Sequence, residues 1–235
     1  MLPKEELLNE ILPSHFVLFL PRDIVSGDFY WCSKVEDRVI IIAADCTGHG
    51  VPGAFMSMLG MGFLNDIVIK RKTTDPAKIL SRLRKMIIKA LKQKDEDVDS
   101  QDGMDISICV FDESHTSLSF SGAYNSMCMI RNKEVTVIPA DRMPVGISSK
   151  LEDSFTNHEI ELEKGDRFFI YSDGYHDQFG GESGKKLKSA NFRQLLLDTS
   201  NLRISGQKAA LADYFKTWKG DHAQIDDVIV IGMEF

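Results

Sequence analysis

The sequence has little positive charge, no paired cysteines and no long apolar run, and each shortage narrows what it can do. Twenty-eight Lys and Arg against 35 Asp and Glu leave a net charge of −7. That excludes a primary nucleic-acid or anionic-membrane binder, because both need a basic surface. Cys32, Cys46, Cys109 and Cys128 lie far apart with no CxxC spacing, so they read as free thiols of a reducing cytosol rather than as a zinc site. No apolar stretch reaches the ~20 residues of a membrane span. The opening MLPKEELLNEILPSHF has no basic region ahead of an apolar one, so it is not read as a secretory signal. There is no internal repeat, no low-complexity tract and no GxxxxGK[ST] phosphate loop. What is present is a 235-residue chain, 43% hydrophobic and 27% charged. This suits one large domain with a real core, expected in the cytoplasm.

Residues 3–12 read as a short helix with Leu7, Leu8, Ile11 and Leu12 on one side, either a linker from an upstream region or a helix packed on the domain. Strand-like runs follow at HFVLFL, DFYWCSKV and RVIIIAAD. The almost wholly apolar 39–44 run fits a strand covered on both faces. Residues 51–70 are helical in length and apolar nearly all round, which predicts a helix sandwiched between layers. Asp75 and Pro76 make an N-cap and first helical position for a second helix with Ile79, Leu80, Leu83, Ile87, Ala90 and Leu91 in its stripe. The acidic KDEDVDSQDG after it reads as a mobile loop. Strands then dominate (MDISICVF, SLSFSG, SMCMIR, EVTVIP, FTNHEIEL, RFFIYS), with the alternation and turn residues of antiparallel pairing. Helices near 190–198 and 206–219 follow. The second carries Leu211, Tyr214, Phe215 and Trp218 on one face and stops at Gly220. A last strand, DVIVIGMEF, follows. Runs of strands separated from runs of helices predict an α+β layered domain, with two packed sheets and helix pairs outside.

Several acids share an odd placement at the edge of an apolar strand beside small residues: Asp28 in VSGDFYW, Asp45 in IIAADCTG, Asp173 in FFIYSDGY, and Asp226 and Asp227 in QIDDVIVIG. One Asp at a strand end is ordinary turn chemistry. As a set at one rim they would repel one another and raise each other's pKa values unless a cation neutralised them. Hard oxygen ligands without a His/Cys cluster point to Mg²⁺ or Mn²⁺, and a pair of such ions suits phosphoryl transfer to water.

In this order, RDIVSGDFYW, ADCTGHGVPGAFMSM, DGMDISIC, SGAYN, YSDGYHDQFGG and DDVIVI resemble the SpoIIE-like branch of the PPM (type 2C) metal-dependent protein serine/threonine phosphatases, over about residues 12–235. The resemblance implies a central antiparallel β-sandwich flanked by helix pairs, a four-layer αββα fold, with 1–12 as linker or N-terminal helix and 13–235 as the phosphatase domain. It implies two Mn²⁺ or Mg²⁺ ions. Asp45 matches the bridging acid, Cys46 supplies its backbone carbonyl, Asp173 and Asp226 match metal acids, and Asp28 matches an acid that holds a metal water or the metal itself. Asp227 falls where a neighbouring Asn or Asp usually sits. The implied reaction is direct attack of a metal-bridging water on phosphoserine or phosphothreonine, with no phospho-enzyme. The implied substrate is a bacterial signalling regulator such as an anti-sigma-factor antagonist. An upstream sensor domain and a homodimer are further implied partners. The alternative is a catalytically silent module of the same fold that binds a regulatory partner.

His49 stands two residues further along than the Gly-His-Gly histidine of the eukaryotic branch. It reads either as the general acid, as a structural cap, or as a group on the phosphate side. Tyr124 and Asn125 occupy the place where branches with a third metal carry an acid, so no third protein-bound metal is expected. Asp105 reads equally as a loop acid or as a carboxylate orienting metal waters. Asp177 reads as structural, His176 as exposed, and Arg22 as a surface arginine. The basic face of the second helix (Lys78 to Lys94) reads as solvated. The Met-rich 51–64 helix reads as core, and the Gly- and Lys-rich FGGESGKKLKSANF as a loop or flap beside the site.

Overall fold

The computed structural model describes residues 2–12, 14–93, 102–147 and 154–235. Most of the acidic loop after the second helix, 94–101, and Lys94 of the basic face lie outside the described residues. Sheet order follows from antiparallel pairing throughout. One sheet runs β2 (Phe29–Val35), β3 (Arg38–Cys46), β4 (Met104–Asp112), β5 (Ser117–Ala123) and β8 (His158–Glu161). The other runs β1 (Ser14–Leu20), β12 (Val228–Glu234), β9 (Arg167–Tyr171), β6 (Met127–Arg131) and β7 (Glu134–Ile138).

The period of two along each strand sorts side chains into separate cores. In β3, Val39, Ile41 and Ala43 enter the space between the sheets, where they join Cys109, Phe111, Phe168, Ile170, Ile229 and Ile231. The alternate Ile40, Ile42 and Ala44 meet α2 (Gly50–Leu64) and α3 (Pro76–Ala90) on the outer face. On the other sheet, Phe169, Tyr171, Val228 and Val230 meet α5 (Ser189–Asp198) and α6 (Ile204–Lys219). The result is the expected α+β arrangement of four layers, helices–sheet–sheet–helices. The doubly covered 39–44 run is apolar because both of its faces are buried. Of α1 (Glu5–Ile11) and the residue after it, Leu8 and Leu12 reach the inter-sheet core.

Some elements differ from expectation. α2 continues as a π-helix over Asn65–Lys70, and Trp31 Nε1 donates to Asn65 Oδ1 at the junction. This 21-residue helix, Gly50–Lys70, matches the expected 51–70 element and is the one among the described residues long and apolar enough to cross a membrane, although the sequence shows no uninterrupted apolar run of that length. It is not sandwiched. Met56, Met61, Leu64, Ile67 and Val68 pack on the sheet, whereas Val51 and Phe55 are 62% and 68% exposed and Met58 is half exposed. One helix face fills the space over the sheet, and no other described layer covers its back. Tyr214 of α6 is likewise turned out while Leu211 and Phe215 are buried. A four-residue helix, α4 (Gly174–Asp177), and a two-residue hairpin of β10 (Phe179–Gly180) with β11 (Lys185–Lys186) are too short to leave a period in sequence.

Phe168 is fully buried between the sheets. Phe168→Ala is expected to cost about 3–5 kcal/mol through lost contacts and a residual cavity, a fall in Tm of about 10 °C. Calorimetry checks this, and a shift of a degree or two would mean the two sheets can collapse around the gap.

Candidate active site

Antiparallel pairing brings several strand termini to one end of the sandwich. β2 begins, β3 ends and β4 begins side by side, with Phe29 opposite Ala44 and Ala44 opposite Ile106. β9 ends where β12 begins, with Tyr171 opposite Val230. Asp28, Asp45 and Asp105 continue the positions of their strands that face the inter-sheet space. Asp45 lies directly across the ladder from Asp105. Asp173 and Asp226 come from the matching termini of the other sheet.

The electrostatics record how crowded these carboxyls are. Burial, then Asp28, Asp173, Asp226 and Asp105, pushes Asp45 well above the usual carboxylate range. Asp28 is raised well above it by burial, with Asp227, Asp226 and Asp173 adding to the effect and Ser172 opposing it. Asp105 is pushed up to about 7 by burial and then by Asp173. Asp173 is pushed up to about 6 by burial, Asp177 and Asp226, against the pull of Lys186 and a hydrogen bond with Asp45. Asp226 is raised by burial, against the N–H of Asp227, and is also eased by the nearby His49 and Arg22.

Asp28 Oδ2 is buried without a hydrogen-bond partner. A buried, unpartnered carboxylate oxygen among other acids calls for a cation. Among the described residues no three Asp, Glu, His or Cys side chains stand in a ligating arrangement. The donor set nonetheless fits hard divalent ions: carboxylate oxygens, no imidazole and no thiolate. The Cys46 thiol belongs to the helix side, where Ser57 Oγ donates to Sγ at 3.8 Å, and burial raises it well above the ordinary thiol range.

Asp227 does something different from its neighbour. Both its oxygens accept backbone N–H groups, Oδ1 from Arg22 and Oδ2 from Gly27, each at 2.7 Å. Oδ2 also accepts from Asp28 N at 3.4 Å. It ties the 22–28 loop to the start of β12. Gly27 and Gly53 then meet the Gly48 carbonyl so closely that a Cβ on either would lie 2.3 or 2.2 Å from that oxygen. The elbow between β3 and α2 turns through Gly48 and Gly50 at φ +82° and +65°, a region glycine enters without the cost a side chain brings. Thr47 fixes the elbow to β4, its N–H and hydroxyl both donating to Gly103 O.

His49 makes no capping bond to α2. Its Nδ1 instead lies 2.8 Å from Asp23 Oδ2. Asp23 was not singled out from the sequence, because only the closure of the 22–28 loop on the elbow brings it to a residue 26 positions away. Arg22 is a surface residue, as expected, with its guanidinium donating to Ile225 O at 2.7 Å. Asp177 pairs with Lys186 at 2.6 Å and braces the hairpin beside Asp173. His176 is not exposed. It is three-quarters or more covered and lies against Phe192 and Tyr171, which lowers its pKa mainly through burial.

A family model described as Stage II sporulation protein E (SpoIIE) matches residues 35–235. A search of curated proteins found no match. Among solved structures, the SiaA-PP2C domain of Pseudomonas aeruginosa is 30% identical with a TM-score of 0.89, covering 100% of this chain and 91% of that one. The PP2C phosphatase domain of SpoIIE from Bacillus subtilis, with a fragment of its regulatory domain, superposes with a TM-score of 0.75 at 15% identity, covering 94% of this chain and 63% of that one. The catalytic domain of the phosphatase PstP in complex with two manganese ions gives 0.60 at 14%, covering 94% and 96%. The last two likenesses bear on fold alone. PP2C-type phosphatases are Mn/Mg-dependent. The chain belongs to the SpoIIE family and is a PP2C-type protein serine/threonine phosphatase domain.

Proposed function

We propose that this domain, spanning 13–235 with residues 1–12 as a linker or N-terminal helix, hydrolyses phosphoserine or phosphothreonine on a cytoplasmic signalling regulator of the anti-sigma-factor antagonist class. The observation that carries the reading is the meeting of Asp28, Asp45, Asp105, Asp173 and Asp226 at one rim, with one carboxylate oxygen of Asp28 buried and unpartnered. Asp45, Asp173, Asp226 and the Cys46 carbonyl would hold two Mn²⁺ or Mg²⁺ ions, and Asp28 would hold one ion or its water. When bound, the ions supply Lewis acidity toward the phosphoryl group and an acidified water for direct attack. Asp105 orients water at the centre from its place opposite Asp45. Asp227 fixes the loop that presents Asp28. His49 would protonate the departing seryl oxygen.

Hydrolysis of para-nitrophenyl phosphate is expected to require Mn²⁺ and to fall in Asp173→Asn by on the order of 100-fold or more, since losing a direct metal ligand costs at least as much as losing a group that only orients one. Undiminished turnover in the mutant would refute the assignment of Asp173.

The crowded acids also predict a pH dependence. Their folded pKa values lie above the unfolded ones, with Asp173 at about 6 and Asp105 at about 7, so the metal-free fold holds extra protons between about pH 4 and 7. That contribution is complete below the unfolded values and is lost as pH rises through the folded ones. Metal-free protein is therefore expected to melt about 5 °C lower at pH 7.5 than at pH 5.5, and added Mn²⁺ to stabilise it more at pH 7.5. Equal metal-free Tm values at the two pH values would contradict the clustering.

Neutralising Asp45 as Asp45→Asn removes one of the repelling charges. It should raise the metal-free Tm at pH 7.5 while abolishing Mn²⁺-dependent turnover, the trade of stability against function expected at a strained site. A lower metal-free Tm would show that Asp45 supports the fold instead.

A further inference from the structure

Asp23 and His49 form a pair that the metal chemistry does not use. Their side chains are 44% and 45% exposed, so both are open to a bound phosphoprotein. The pair nonetheless sits on a rigid base. The loop bearing Asp23 is pinned to Asp227 at Arg22 and Gly27. The elbow bearing His49 is pressed on the same loop through the Gly27–Gly48–Gly53 contact, and Ser57 Oγ of α2 donates to Gly27 O. At Gly50, where φ is +65°, a Cβ would come within 3.3 Å of Asp23 Oδ2, so the carboxylate fits against bare backbone. An ionised carboxylate only accepts hydrogen bonds. The 2.8 Å contact therefore places a proton on His49 Nδ1 and leaves Nε2 as the ring nitrogen free to meet a substrate. A charge on His49 is felt at Asp226, one of the crowded acids, so the ring lies near the centre where phosphate would be held.

We propose that Asp23 is a positioning residue for His49, holding the imidazolium with Nδ1–H toward its own carboxylate and Nε2–H toward the leaving seryl or threonyl oxygen. This rests on the phosphatase reading above. In the step, the oxygen of water forms the new bond to phosphorus and sheds its proton to solvent. The bond from phosphorus to the seryl oxygen breaks, its electron pair stays on that oxygen, and the Nε2 proton moves there. The neutral ring then regains a proton from solvent. The logic is that of any base or acid oriented through its second nitrogen by a carboxylate.

A seryl oxygen is a poor leaving group and needs that proton, whereas para-nitrophenolate leaves without one. Asp23→Ala should therefore lower kcat on a phosphoserine peptide on the order of 10- to 100-fold more than on para-nitrophenyl phosphate. His49→Gln should show the same bias, and the double variant should be no worse than the worse single one, as for groups acting as a unit. A second readout needs no metal. Nitrogen NMR of the His49 ring in metal-free protein should show Nδ1 protonated in the wild type, and a shift toward the Nε2-protonated tautomer in Asp23→Ala. Equal losses on both substrates, no loss on either, or an unmoved tautomer would each overturn the proposal while leaving the phosphatase reading intact. A wild type with no Mn²⁺-dependent activity on either substrate would overturn that reading and this proposal together.

Discussion

Mutual repulsion among carboxyl groups at one end of an apolar sandwich is the constraint around which the rest of this fold is arranged. Asp28, Asp45, Asp105, Asp173 and Asp226 would separate if their strands could move. They cannot, because each is continuous with a strand whose other residues fill the cores. Moving Asp45 by one residue in register would also exchange Ile41 with Ile42 and turn the inter-sheet face outward. The sandwich thus holds a charge distribution that no local segment would choose, and a cation is the natural counterpart to it.

Much of this could be read from the residues, and the failures have physical causes. The 39–44 run announced a doubly covered strand because burial on both faces leaves no place for polar alternation. Asp45, Asp173 and Asp226 stood out only as a set, because one Asp at a strand end is ordinary turn chemistry. Asp105 was ambiguous. Its partner across the ladder is fixed by strand register, which is a property of two segments 60 residues apart. Asp23 was invisible for a similar reason, since its contact depends on loop closure and not on spacing. The 51–70 helix misled in the opposite direction. Its uniform hydrophobicity predicted cover on all sides, but hydrophobicity does not say that a neighbour exists within the same chain, and Val51 and Phe55 stand in solvent. His176 was expected outside beside Asp177 in the SDGYHDQ loop, yet the aromatic wall of Phe192 and Tyr171 takes it in.

The similarity to the SiaA-PP2C domain extends along the whole chain, with a TM-score of 0.89, so the two share the layered fold. At the rim this chain carries an acid in the 22–28 loop, a histidine in a glycine elbow, and a short basic hairpin braced by Asp177.

Asp227 also has a temporal meaning. It joins residues some 200 positions apart in the chain, and its strand, β12, enters between β1 and β9 as the last of the strands in chain order. During synthesis, a growing chain has Asp28 and Asp45 long before it has Asp226 or the clamp that sets the 22–28 loop. The centre therefore cannot form piecemeal as the polypeptide emerges. Closure of the sheet and closure of the acidic rim thus become a single event.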